Sequence, residues 1–188
     1  MDDTTGRTLL QLARTTIQAK LEGTSLPPVP ALPEQDSPHG GLFVTLRNHG
    51  RLRGCIGEFR AGQDLAQAVQ RMAIAVLGDP RFTRNPVTRD EVPDLSIDIS
   101  VLSPMQRTEN PELLVPGLHG IYVRRGGHGG CFLPQVAVEQ GWDARDLLEN
   151  CCLHKAGLSK DAWKEPGTDV FLFTAEILDE EHQSGSAE

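Results

Sequence analysis

Residues 42–57 constrain the fold more than any other stretch. In "GLFVTLR", Leu42, Val44 and Leu46 alternate with Phe43, Thr45 and Arg47, the period of a strand with one buried face. "NHG" follows, a three-residue loop whose final glycine, Gly50, predicts a left-handed position. "RLRGCIGEF" then returns as a second strand. Strands joined this closely pair only antiparallel, so the chain commits to an antiparallel sheet and to apolar elements that cover it.

The remaining pattern supplies those elements. Leu9, Leu10, Ala13, Ile17 and Leu21 recur at helical spacing over residues 7–21, with Gly23 as the stop. Residues 24–40 hold five prolines and read as an extended connector. Asp64, with Gln67 three residues on, opens a second helix whose inner face is Leu65, Ala68, Val69, Met72, Ala73 and Val76, ending at Gly78. "DPRFTRNPVTRDEVP" is a polar loop, and "DLSIDISVLS" is the cleanest strand, with Leu95, Ile97, Ile99 and Val101 inward. "HGIYVRRGGHGGCFLP" predicts a second hairpin. Asp143 caps a helix to about Lys155, with Leu147, Leu148, Cys151 and Cys152 inside, and "TDVFLFTAEIL" is one last strand. Residues 179–188 form a polar tail. Hairpins with helices between them predict an α+β fold, mainly antiparallel sheet with flanking helices.

Composition excludes several functions. A net charge of −8 repels phosphate backbones, and 5% aromatic residues leave little for stacking bases, so nucleic acid is not expected as a partner. A local basic patch at Arg47, Arg51, Arg53 and Arg60 is the one exception to weigh. No apolar run is long enough to span a bilayer, and the first residues are acidic and then amphipathic rather than signal-like. The expectation is a cytoplasmic protein with its four cysteines reduced.

The chemistry-bearing candidates centre on Cys55. Strand alternation puts Arg53, Cys55 and Gly57 on one face and Leu52, Gly54 and Ile56 on the other. A cation beside a thiol favours the thiolate, and Gly54 and Gly57 leave backbone open to a ligand. One reading is a nucleophile; the other is a small hydrophobe packed between glycines. A nucleophile needs a base, and His49, His119, His128 and His154 are the candidates that sequence alone leaves unplaced. Metal chemistry is not expected: there is neither a C-x-x-C pair nor an H-x-x-x-H pair, and Cys131, Cys151 and Cys152 read as core filling. "RRGGHGG" lacks the ending of a phosphate loop and reads as a turn, and no cofactor is called for. In "DPRF", Asp79 and Arg81 either pair to fix the loop or present Arg81 to an anionic ligand.

These residues resemble a known family. "LRGCIG" is the hallmark hexapeptide of the AMMECR-type domain, whose bacterial members are protein A of the AmmeMemoRadiSam system. "GLFVTL", "DPRF", "DLSIDISVLSP", "HGIYVRRGG", "FLPQVAVEQGW", "KAGL" and "DAW" stand in the family's order, from about residue 7 to residue 178. Cys152 matches the cysteine that the family carries shortly before KAGL, while Cys131 and Cys151 look particular to this chain. The resemblance implies a single domain over 1–178, with a larger and a smaller lobe and the hexapeptide near the cleft between them. It implies Cys55 and Arg53 as catalytic candidates, with Gly54, Gly57, Asp79, Arg81 and Gln135 toward a small-molecule or peptide substrate. Pro80, Phe82 and Pro134 complete the matched motifs. It also implies a Memo-like protein and a radical-SAM protein as partners. The family's reaction is not part of what the resemblance supplies, so a Cys55-dependent enzyme or enzyme component stands beside a non-catalytic adaptor with a structural LRGCIG motif.

Overall fold

The fold is described from a computed structural model, which covers residues 1–33, 38–62 and 64–180. Of the expected tail, 179–188, Asp179 ends the last strand and Glu180 pairs with Arg14, while residues 181–188 and part of the proline-rich connector lie outside the described residues. The elements are α1 (Asp3–Glu22), β1 (Gly41–Asn48), β2 (Arg51–Glu58), α2 (Leu65–Ala75), β3 (Leu95–Leu102), β4 (Gln106–Thr108), β5 (Gly120–Arg125), β6 (His128–Phe132), α3 (Pro134–Gln140), α4 (Ala144–Asn150), β7 (Asp169–Phe173) and β8 (Ala175–Asp179). The fold is α+β, with two four-stranded antiparallel sheets. None of the described helices is long and apolar enough to cross a membrane.

The chain divides into two compact units. In the first (residues 1–101 and from 176 onward), the strand order is β2-β1-β3-β8. Leu42, Val44 and Leu46 of β1 and Leu95, Ile97 and Ile99 of β3 join Leu9, Ala13 and Ile17 of α1 and Ala66, Val69 and Ala73 of α2 in one core. Both helices start on carboxylate caps: Asp2 accepts from the Thr5 N–H and Asp64 from the Gln67 N–H. In the second unit (residues 102–175), the order is β4-β7-β5-β6. Its core gathers Ile121, Val123, Phe132, Leu147, Leu148, Cys151, Cys152, Trp163 and Val170.

Four sequence expectations change. The first hairpin turns on two residues, not three, and both His49 (φ 47°) and Gly50 (φ 77°) are left-handed. That is the turn whose twist matches the strands. "TDVFLFTAEIL" is two strands, β7 and β8, that serve the two different sheets. α3 arises where no helix was assigned, because Pro134 starts it and Gly141 (φ 66°) ends it after only seven residues. The helix after Asp143 leaves α geometry after Asn150 and closes through a π turn, Cys151–Lys155. The π turn's backbone lies against β6, where a Cβ at Gly130 would fall 2.3 Å from the Lys155 carbonyl carbon.

A side chain at φ 47° is held against a cost of roughly 1 kcal/mol that glycine escapes. His49→Gly is therefore expected to raise the urea midpoint by the equivalent of about 0.5–1 kcal/mol. A lowered midpoint would show that the imidazole makes a stabilising contact.

Candidate functional site

β2 is an edge strand of its sheet, and Cys55 sits opposite Thr45 of β1. The Cys55 N–H donates to Asp79 Oδ2 at 2.9 Å, and its carbonyl accepts from Arg81 Nη2 at 3.1 Å. Both backbone groups thus point away from β1, which makes Thr45 and Cys55 a non-hydrogen-bonded pair with side chains drawn close. The Thr45 hydroxyl donates to Cys55 Sγ at 3.3 Å.

The clamp on the edge is built by "DPRF". Asp79 is 2% exposed. Its Oδ1 accepts from the Arg81 backbone N–H (3.0 Å) and from Arg81 Nε (3.0 Å), and its Oδ2 accepts from Arg81 Nη2 (2.6 Å). Pro80 lacks an N–H and presets the short turn Pro80–Phe82 that brings the guanidinium back onto its own carboxylate. The paired guanidinium, followed by burial acting the other way and by the Cys55 N–H, holds the Asp79 carboxyl at about 2. The Arg81 side chain remains 49% exposed. Its guanidinium is raised chiefly by Asp79 and in smaller part by Cys55, so the positive charge beside the cysteine belongs to Arg81.

Arg53 goes elsewhere. The β1–β2 register shifts between Leu46 and Arg47, so that Leu52 pairs with Arg47 while Gly54 pairs with Leu46. A bulge re-aims the side chain it carries. Arg53 Nε and Nη2 donate to the two oxygens of Glu91 (2.8 and 2.9 Å), and Nη1 and Nη2 donate to the carbonyls of Asn85 and Pro86 (both 3.1 Å). The Glu91 carboxyl is held at about 2 by this guanidinium, helped by the Thr88 N–H and Asn48. The expectation that Arg53 approaches the sulfur is replaced by an ion pair that ties β2 to the 85–91 loop. An open groove of about 740 Å³ runs along this pair, walled in part by His49, Arg51 and Asn85; Cys55 is not among its walls. Phe82 receives both guanidiniums over its ring, Arg53 at 5.8 Å and Arg81 at 5.7 Å.

The two glycines of the motif are filled from within the protein. A Cβ at Gly54 would lie 2.8 Å from the Val76 carbonyl oxygen, and one at Gly57 would lie 2.3 Å from Phe43 Cγ. They let β2 approach the turn after α2 and the Phe43 ring, in place of the ligand approach that sequence reasoning assigned to them. Gln135 stands on α3, in the second unit, with Pro134 at the first helical position. His49 is exposed on its turn. Cys151 and Cys152 are fully buried, and burial raises both thiols. Among the described residues, no three His, Cys, Asp or Glu side chains are grouped to hold a metal ion.

Two partners escaped sequence reasoning. Glu91 was legible through "TRDE", since Thr88 and Glu91 form a capping box. Thr45 would have followed from the hairpin once the turn was set at two residues and the bulge placed.

Comparison with known proteins gives the family and the fold. The AMMECR1 family model matches residues 10–178. A protein of Methanothermobacter thermautotrophicus is 41% identical over 94% of this chain and 94% of its own length. Protein MK0488 of Methanopyrus kandleri is 40% identical over 96% of this chain and 90% of its own. The crystal structure of the uncharacterized protein PH0010 from Pyrococcus horikoshii superposes with a TM-score of 0.88, at 36% identity, over 100% of this chain and 97% of that one. With the match running from α1 to β8 through the clamped LRGCIG strand, this chain belongs to the AMMECR1 family.

Proposed function

We propose that the protein is a thiol-bearing enzyme component of the cytoplasm, in which Cys55 carries the chemistry and Arg81 receives an anionic group of a small-molecule or peptide substrate. The observation that carries this reading is the clamp. Cys55 is half-buried, its two backbone groups are held by Asp79 and Arg81, and its sulfur is held by Thr45. Cys151 and Cys152 differ in being wholly enclosed; the Cys151 thiol also makes a hydrogen bond, to the Gly130 carbonyl, whereas the Cys55 backbone is gripped by the Asp79–Arg81 ion pair. Fixing a nucleophile within a fraction of an ångström is what a reacting group requires. Arg81 spends one face on Asp79 and keeps half its side chain in solvent, where an anion can reach it. The family resemblance supplies the setting: work shared with a Memo-like and a radical-SAM protein.

Native-state alkylation with iodoacetamide, read at each cysteine by mass spectrometry, is the direct test. Cys55 is expected to react at least a thousandfold faster than Cys151 and Cys152, because buried thiols wait for unfolding, which reaches only ~10⁻³ of molecules or fewer. In a system reconstituted with the two partners, Cys55→Ser is expected to abolish turnover. Full turnover by that variant would sink the reading.

A second reading has its own observation. Arg53, Glu91, Asp79 and Arg81 are bound chiefly to one another, which suits a rigid adaptor as well as an active centre. An adaptor retains its partners when Cys55 is serine and loses them when the clamp is broken. Co-purification of Cys55→Ser and Asp79→Asn with the partners separates the two readings.

A further inference from the structure

We propose that the second unit carries a binding site for a small organic carboxylate with an apolar body, in the cavity lined by His119. This site is independent of the reading of Cys55. The cavity has a volume of about 390 Å³, and its walls include Ser103, Arg107, Thr108, His119, Leu172 and Phe173.

Three polar groups of the wall, which also includes Gln106, already accept from main-chain amides. His119 Nδ1 accepts from the Val115 N–H at 2.9 Å, Ser103 Oγ accepts from the Thr174 N–H at 2.9 Å, and Thr108 Oγ1 accepts from the Asn110 N–H at 3.1 Å. A neutral imidazole whose Nδ1 accepts must carry its proton on Nε2, so His119 has a donor left for the cavity. Each hydroxyl likewise keeps its O–H. Arg107 places Nε on Asp169 at 2.9 Å and Nη1 on Glu109, which leaves Nη2. One imidazole, fixed as a donor by the Val115 amide, and two hydroxyls that keep their O–H thus stand around a single space. A ligand that brings acceptor oxygens can use all three donors at once.

Charge and surface narrow the class. Arg107 and Arg124 face Asp169 and Glu109, so the cations near the cavity are balanced one for one. A dianionic phosphate finds no surplus positive charge here, whereas a monoanionic carboxylate is met by hydrogen bonds alone. Leu172 and Phe173 give the other side of the ligand an apolar wall.

The test is titration of the full chain, ¹⁵N-labelled, with benzoate as the probe. Backbone amides near residues 103–108 and 172–174 and the His119 ring nitrogens report binding. Saturable shifts confined to these groups are expected, with a dissociation constant of about 1 mM or tighter. Benzyl alcohol and inorganic phosphate are expected to bind at least about tenfold more weakly. His119→Asn keeps an acceptor for Val115 but has no Nε2–H, and about a tenfold loss of benzoate affinity is expected with the Val115 amide signal in place. His119→Gln returns an amide N–H near the Nε2 position and is expected to recover part of that loss. The proposal is overturned by unsaturable shifts up to roughly 10 mM benzoate, by unchanged affinity in His119→Asn, or by phosphate binding as tightly as benzoate.

Discussion

Asp79→Ala is expected to remove about 3 kcal/mol of folding stability, measured by urea unfolding at neutral pH. The carboxylate is almost wholly enclosed and accepts from the Cys55 N–H, from the Arg81 N–H and from two guanidinium nitrogens. Its loss leaves a β2 backbone donor without its acceptor and a cation without its partner; the exposure of Arg81 lets water recover some of the second cost. Asp79→Asn keeps one acceptor oxygen and is expected to lose less. The pH dependence follows from the same geometry. Asp79 falls from 3.8 to about 2 on folding and Glu91 from 4.5 to about 2, so both titrate below their unfolded values. The stability they contribute is complete above their unfolded values and is lost as pH falls through about 2. Each contributes on the order of 2–3 kcal/mol. Urea midpoints of the wild type should therefore drop steeply from pH 4.5 toward 2. An Asp79→Asn, Glu91→Gln double variant should be much flatter there. Equal slopes would remove these two carboxylates from the account.

Gly57→Ala is expected to cost a similar amount, about 3 kcal/mol, by a steric route. The new Cβ would stand 2.3 Å from Phe43 Cγ and 2.4 Å from the Leu42 carbonyl oxygen. The ring can swing; the carbonyl belongs to β1 and cannot move without breaking the strand pair. Phe43→Ala in the same chain should therefore rescue only part of the loss, and complete rescue would mean that the ring alone enforces glycine. Gly78→Ala is the control. A Cβ there meets nothing within 4 Å, and a change within about 0.5 kcal/mol is expected.

Much of this fold was legible because burial imposes a period. The core residues of β1 and β3 recur at every second position, although Thr45 and Ser100 between them are buried too, and the inner faces of α1 and α2 repeat at helical spacing, so their place in the core could be read directly. What stayed hidden depends on distance along the chain. β8 looked continuous with β7 because only Thr174 separates them, and nothing local says that the two halves serve different sheets. The site was read in the same uneven way. Cys55 and the Asp79–Arg81 pair stood out by residue type. Arg53 was given to the wrong partner because strict alternation cannot foresee a bulge, and its true partner lies 38 residues away. Gly54 and Gly57 advertised open backbone, yet an open backbone attracts a protein neighbour as readily as a ligand.

The clamp on β2 has a consequence for how the molecule meets others of its kind. An edge strand ordinarily offers a ladder of unpaired N–H and C=O groups to any passing chain. Here one rung of that ladder, at Cys55, is already taken by a carboxylate and a guanidinium from the same chain. An incoming strand would have to displace a buried carboxylate and its half-exposed guanidinium partner before it could register there. The residues that steady the cysteine therefore also block the sheet margin at that rung, so one pair of side chains both holds the candidate nucleophile and denies a foreign strand its register.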